Sequence, residues 1–251
     1  MYQGGCVKQP DYGHASHAGW LRERNEDSYL AAPELGLWIV ADGLGGEADG
    51  EVASAIVVAH VAERVRAGMP LDQAITTAHT AVLDAVREGH GRAGMGSTAV
   101  AAHIRENVYQ IAWIGDSRAY LWDGRHIARL TRDHSFVQGL VDSGALPQEM
   151  AALHPYRNVL MRCLGSSDDS SVRVDTVTGE LSRDDRILLC SDGLTGELSD
   201  ADIEAIFAAG QGVQETVDHL IEGALERGGS DNVTVLAIAA PVDTGRRTGM
   251  A

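Results

Sequence analysis

Apolar residues fall along this chain in two regimes, short unbroken runs and longer stretches at helical spacing. Residues 36–41, GLWIVA, form an unbroken run stopped by Asp42-Gly43, the pattern of a buried strand that ends in a turn. The period then changes. Val52, Ala55, Ile56, Ala59 and Val65 recur at helical spacing over 50–66, and Ile75, Ala78, Val82 and Val86 do so over 71–86, with Gly68-Met69-Pro70 between the two helices. Four apolar or β-branched runs follow at 97–104, 108–114, 118–122 and 125–130, separated by short polar turns that include Asp123-Gly124, which predicts an antiparallel meander. Residues 133–165 are helical in pattern but broken by Gly144, Pro147 and Pro155, so they read as short helices around a mobile loop. A run at 186–190 ends at Ser191-Asp192-Gly193. Helices over 200–209 and 213–227 precede a last strand at 233–240, and 242–251 reads as a tail. Strands joined to strands and helices paired with helices predict an α+β layered domain, not a parallel doubly wound sheet.

Composition narrows the function. At 251 residues with 44% hydrophobic and 22% charged, the chain can bury a sizeable core, which excludes disordered and fibrous classes. A formal net charge of -16 disfavours nucleic acid and anionic membranes as partners and favours the collection of cations. Cys6, Cys163 and Cys190 are odd in number and widely spaced, which argues against a disulfide framework or a thiolate zinc site and fits a reducing cytoplasm. No run is long enough to span a bilayer, and residues 1–13 have neither a basic start nor an apolar signal segment, so a soluble, unexported protein is expected.

The chemistry lies in acidic clusters beside the apolar runs: Asn25-Glu26-Asp27, Asp42-Gly43, Asp192-Gly193 and Asp231-Asn232, with Asp116 in Gly115-Asp116-Ser117-Arg118 as a fifth. Any one of them reads equally as a turn residue capping a strand. Carboxylates gathered at one sheet end would repel one another unless cations held them, and an all-oxygen set suits Mg²⁺ or Mn²⁺ over zinc. A two-metal hydrolase site is the sharper reading.

In order along the chain stand Arg22-x-x-Asn25-Glu26-Asp27, Val40-Ala41-Asp42-Gly43-Leu44-Gly45-Gly46 with Gly50-Glu51-x-Ala53-Ser54, Gly94-Met95-Gly96-Ser97-Thr98, Gly115-Asp116-Ser117-Arg118-Ala119-Tyr120, Leu130-Thr131-Arg132-Asp133-His134-Ser135, Cys190-Ser191-Asp192-Gly193-Leu194-Thr195 and Gly229-Ser230-Asp231-Asn232-Val233-Thr234. This ordered set resembles the bacterial branch of the metal-dependent serine/threonine protein phosphatases, the type-2C or PPM family. The resemblance covers residues 14–240, leaving 1–13 as an extension and 241–251 as a tail. It implies a four-layer α-β-β-α sandwich, two antiparallel sheets flanked by helix pairs, with a small flap at about 144–165 that the family uses for substrate choice.

Carried over position by position, the resemblance implies that Asp42 bridges two Mn²⁺ or Mg²⁺ ions, that Gly43 offers one of them its carbonyl oxygen, and that Asp192 and Asp231 complete the pair. Glycine there would let the backbone approach the ion closely. Glu26 and Asp27 act through metal-bound water, and Asp116 with Asp192 holds a third, weaker ion. A hydroxide between the two metals attacks phosphorus in line, so Ser191 and the cysteines are bystanders. Arg22 matches the family's phosphate-binding arginine, whose planar fork holds two phosphate oxygens; Arg24 competes for that role but fits the motif less well. Leu44 stands where animal members carry a histidine that protonates the leaving group, and Glu47 where many bacterial members have His, so the proton is expected from water. His134 reads as a satisfied structural histidine, His14 and His17 as loop residues, and Trp20, Trp38, Trp113 and Trp122 as core or sheet surface.

The expected protein is a monomeric cytoplasmic phosphatase for phosphoserine and phosphothreonine proteins, opposing a bacterial Ser/Thr kinase and acting on that kinase and its targets. Residues 36–40, GLWIV, resemble phosphatases encoded with type VI secretion kinases. Two rivals are a regulatory module that keeps the fold without catalysis and a two-metal phosphodiesterase. Every expected ligand position is present, against the first, and an acidic chain offers no basic groove, against the second.

Overall fold

A computed structural model of the chain describes residues 9–45, 49–165 and 172–241. Cys6, Gly46, Glu47, most of the expected N-terminal extension and the tail 242–251 lie outside the described residues.

The strand β3 (Leu37–Ala41) shows why its apolar run is unbroken. All five side chains are buried, and they point alternately to two different cores. Leu37, Ile39 and Ala41 pack with helices α1 (Asp49–Arg66) and α2 (Leu71–Arg87), whereas Trp38 and Val40 enter a second core. That second core receives Ile187 and Leu189 from β11 (Arg186–Cys190) and Leu236 and Ile238 from β12 (Val233–Ala239). The other faces of those strands, Leu188, Cys190, Val233, Val235 and Ala237, pack with α5 (Asp200–Ala208) and α6 (Val213–Glu226). Two sheets thus meet through one core and each carries a helix pair outside, the expected four-layer sandwich. Burying a Leu or Ile side chain contributes about 1.5–3 kcal/mol, so a strand covered on both faces is built mainly of apolar residues, and a buried polar one such as Thr234 in β12 is hydrogen-bonded.

One sheet runs β1 (Tyr12–His17), β12, β11, β8 (Arg118–Trp122), β9 (Ile127–Arg129). The other runs β10 (Asp175–Glu180), β7 (Val108–Ile114), β6 (Ala99–Arg105), β3, β2 (Ser28–Ala32), and every pairing is antiparallel. A short ladder of β4 (Gly43–Leu44) and β5 (Gly96–Ser97) sits beside them.

Three strands escape the hydrophobic pattern, and all three are edge strands: β1, β2 and β10. In β10, DTVTGE, half-buried and exposed positions alternate, which leaves no apolar run to read. In β1, YGHASH, only Gly13 is buried, and a Cβ there would lie 2.7 Å from the Gln214 Cα, so α6 packs directly onto its backbone. The strand begins at Tyr12, ahead of the expected domain start at 14. His14 and His17 therefore belong to a strand and not to a loop. Trp38, Trp113 and Trp122 are buried as expected, but Trp20 is 63% exposed.

The segment expected to form the flap follows a short helix. Helix α3 (Phe136–Asp142), capped by Ser135, leads to a 3₁₀ turn at Gln148–Leu153, and the chain returns through bridges Ser135↔Leu160 and Ser97↔Leu164.

Candidate functional site

The two sheets deliver acidic residues to one end of the sandwich. Asp42 follows β3, Asp192 follows β11 as the first residue of a short helix α4 (Asp192–Thr195), Asp231 precedes β12, and Glu26 lies two residues ahead of β2. Together with Arg22, Gly43, Arg24 and Asn232 they line a cleft of about 410 Å³. Asp116, just past β7, lines an adjoining cleft of about 360 Å³, and Asp192 and Asn158 border both. Asp27 is set apart from these residues: it is buried, 8% exposed, and lines neither cleft.

Small polar residues hold the acidic ones in place. The Asp42 N–H donates to Thr98 Oγ1 (2.9 Å), and its carbonyl accepts from Thr98 N–H (2.9 Å) and Ser97 Oγ (3.0 Å). Thr98 Oγ1 also pairs with Ser117 Oγ at 2.7 Å, which ties the Asp42 turn to the Asp116 turn. A Cβ on Gly43 would lie 2.1 Å from Gly50 O and 2.5 Å from Glu26 O, and one on Gly193 would lie 2.0 Å from Asn232 O. Glycine follows Asp42 and Asp192 where neighbouring backbone leaves no room for a side chain.

Asn232 spends its whole amide on the loop that carries Arg22. Its Oδ1 accepts from Glu26 N–H (2.7 Å), and its Nδ2 donates to Ala18 O (2.9 Å) and Arg24 O (2.8 Å). Trp20 pins the same loop, its N–H donating to Gly229 O and its Nε1 to Leu225 O. Ser191 holds Asp27: its hydroxyl donates to Asp27 Oδ2 (2.7 Å) and accepts from Thr234 N–H (2.9 Å). The sequence reading missed Thr98, Ser191 and Asn232 as positioning groups, although all three stand in the motifs and Ser191 and Asn232 each sit beside an acidic residue. Burial pushes the Cys190 thiol up to about 12.

The electrostatics are those of crowded carboxylates. Burial, then repulsion from Asp192, Asp27 and Asp116, holds Asp42 well above the usual carboxylate range. Burial raises Asp192 too, with Asp231 adding repulsion, and Asp116 is raised by burial and by Asp192. Burial carries Asp27 up to about 7 against the hydroxyls of Thr234 and Ser191, and its Oδ1 has no hydrogen-bond partner. Arg22 Nη2 donates to Asp231 Oδ2 at 2.7 Å, and that bond raises the guanidinium further.

Crowded, all-oxygen donors lining one cleft suit hard divalent cations. Among the described residues no three His, Cys, Asp or Glu side chains close on a single point. An ion here would complete its shell with the Gly43 carbonyl and water, as Mg²⁺ commonly does with one or two carboxylates.

A family model for protein phosphatase 2C matches residues 22–226. The chain is 39% identical over 240 residues to serine/threonine protein phosphatase PstP of Mycobacterium tuberculosis, which covers 92% of this chain and 45% of PstP, so the chain spans about half the length of that relative. The solved catalytic domain of PstP in complex with two manganese ions superposes with a TM-score of 0.81 at 36% identity, covering 92% of this chain and 97% of that one. PppA, a key regulatory component of T6SS in Pseudomonas aeruginosa, superposes with a TM-score of 0.80 at 32% identity, covering 93% of this chain and 99% of that one.

Proposed function

Because the chain belongs to the protein phosphatase 2C family, we propose that its acidic cleft hydrolyses phosphoserine and phosphothreonine esters in proteins with Mn²⁺ or Mg²⁺ as cofactor. One observation carries the reading: Asp42, Asp192 and Asp231, from three separate segments, line a single cleft with the Arg22 guanidinium. Asp42, Asp192, Asp231 and the Gly43 carbonyl would hold two ions, and Asp116 beside Asp192 a third, weaker one. When bound, such ions supply a nucleophile from water and offset the charge on the transferring phosphoryl group.

The chain's own residues bind and orient. Asp231 fixes one edge of the Arg22 fork, and the remaining N–H groups are free to take two phosphate oxygens. Asn232 holds Glu26 and the Arg22 loop at the cleft rim. Leu44 has no proton to give, so the leaving oxygen takes its proton from water.

The substrates on this reading are a Ser/Thr kinase and its target proteins, met in the cytoplasm by a monomeric enzyme. Among the described residues no helix is long and apolar enough to cross a membrane. The likeness to PppA supports an association with a type VI secretion system, while the higher identity to PstP weighs against tying the chain to that system alone.

Hydrolysis of p-nitrophenyl phosphate with and without Mn²⁺ tests the proposal, with bis-p-nitrophenyl phosphate as the diester control. Mn²⁺-dependent release from the monoester is expected. No release would favour a binding module, and preference for the diester would favour a phosphodiesterase. Comparing phosphoproteomes with and without the enzyme would then identify the substrates.

A further inference from the structure

His134 is a buried, titratable group that the phosphoryl chemistry leaves unused, and its bonds reach three separate parts of the fold. Its N–H donates to Gly115 O (2.9 Å), and its Nδ1 accepts from Gly115 N–H (3.1 Å), so both polar groups of the residue ahead of Asp116 are held. Its carbonyl accepts from Met161 N–H (2.7 Å), on the segment returning from the flap. Its Nε2 lies 3.1 Å from Asp175 Oδ2 on β10, and the Trp113 ring stacks over it.

The geometry fixes the tautomer. A nitrogen that accepts a hydrogen bond carries no proton, so the neutral ring is protonated on Nε2, and that N–H donates to Asp175. Arg162, on the segment returning from the flap, brings Nη1 within 3.4 Å of Nε2 and 3.6 Å of Asp175 Oδ2; a protonated Nε2 cannot accept, so the carboxylate is its partner. Gly115 has no side chain to anchor it, and its φ of +108° lies in the left-handed region; a Cβ would lie 2.6 Å from Thr98. The direction of Asp116 therefore depends on what grips the Gly115 backbone.

We infer that His134 is a positioning residue through which the seat of the flap sets the aim of Asp116: Arg162 and Asp175 lock the Nε2–H tautomer, and the bare Nδ1 holds Gly115. This rests on the proposed role of Asp116 beside Asp192. The consequence is that displacement of the Arg162 segment loosens Asp116 without moving Asp42 or Asp231.

Two substitutions separate the two ends of the ring. His134→Asn keeps an acceptor near the Nδ1 position, whereas His134→Gln reaches toward Asp175 and abandons Gly115. Hydrogen exchange at the Gly115 amide of the full chain needs neither metal nor substrate. It should accelerate about tenfold or more in His134→Gln, the worth of one hydrogen bond, and stay near wild type in His134→Asn. With Mn²⁺ present, His134→Gln should lose about tenfold in kcat on a phosphoserine peptide at unchanged KM and keep p-nitrophenyl phosphate turnover, with His134→Asn restoring the peptide rate. Arg162→Ala, at a partly exposed side chain, should shift Gly115 exchange in the same direction, and it decides the question if neither His134 variant folds.

Equal Gly115 exchange in all variants, or equal loss on both substrates, would overturn the inference and leave His134 a core residue only. A wild type with no Mn²⁺-dependent hydrolysis would instead defeat the phosphatase reading, and Gly115 exchange would still decide the coupling.

Discussion

Replacing Asp27 by Asn should stabilise the protein at neutral pH in the absence of metal, and the gain can be worked from its surroundings. Its carboxyl is raised from the ordinary 3.8 to about 7, chiefly by burial. Between those values the folded state binds a proton that the unfolded state has released, so stability falls as pH rises through this window and levels off above it. The full cost is about 4 kcal/mol at about 1.4 kcal/mol per pH unit, an upper limit because Asp192 and Asp231 take up part of the proton equilibrium. Asn is neutral throughout and still accepts from Ser191 Oγ, but its amide nitrogen replaces the unpartnered Oδ1, a buried donor that costs about 1–3 kcal/mol. The net gain above the window is about 1–3 kcal/mol, turning into a loss near pH 4. Urea denaturation of both proteins in EDTA across this range measures it; the chelator matters because a cation near the cleft would lower the Asp27 carboxyl and shrink the difference. A difference between the two proteins that does not grow from pH 4 to pH 7 would refute the reasoning.

Three further outcomes follow from the same geometry. Asp42→Asn or Asp192→Asn should abolish Mn²⁺-dependent hydrolysis of p-nitrophenyl phosphate by several orders of magnitude, with an unchanged circular dichroism spectrum and a raised Tm in EDTA; near wild-type turnover would remove the two-metal assignment. Arg22→Ala should raise KM for a phosphomonoester by about 1.5–3 kcal/mol equivalent and change kcat less, and the same effect from Arg24→Ala alone would mean that the motif is misaligned. Asn232→Ala removes three hydrogen bonds to backbone and should cost about 2–4 kcal/mol in denaturant unfolding; a loss under about 1 kcal/mol would show that the Arg22 loop holds itself.

How much of this was legible in the sequence depends on how many faces of an element are covered. The strands β3, β11 and β12 are buried on both sides, so their runs are mainly apolar and their bounds came within a residue of those observed. The edge strands β1, β2 and β10 have one covered face or less, and residues such as His14 and Thr176 give no periodic signal there. In the site, the acidic residues stood out because a carboxylate beside an apolar strand is costly without a purpose. Their supports did not, because a bond such as Asn232 to Ala18 spans 214 positions and nothing local announces it. At Gly43 the carbonyls of Gly50 and Glu26 that exclude a side chain come from elements whose approach only the fold reveals.

The pairing of β1 with β12 has a topological consequence. Tyr12 lies opposite Ile238 and Ala239 N–H donates to Asp11 O at 2.8 Å, while the same strands reach the cleft at His17 and Val233, about 17 Å further along at the usual rise per residue. The path into the sandwich and the path out of it thus share one corner, at the end remote from the chemistry. A circular permutant that joins residues 10 and 241 by a short bridge and opens the exposed turn at 123–126 would keep every strand neighbour and close only a small loop. For the same reason, cargo tethered through either strand hangs from a single pivot and leaves the mouth of the cleft clear.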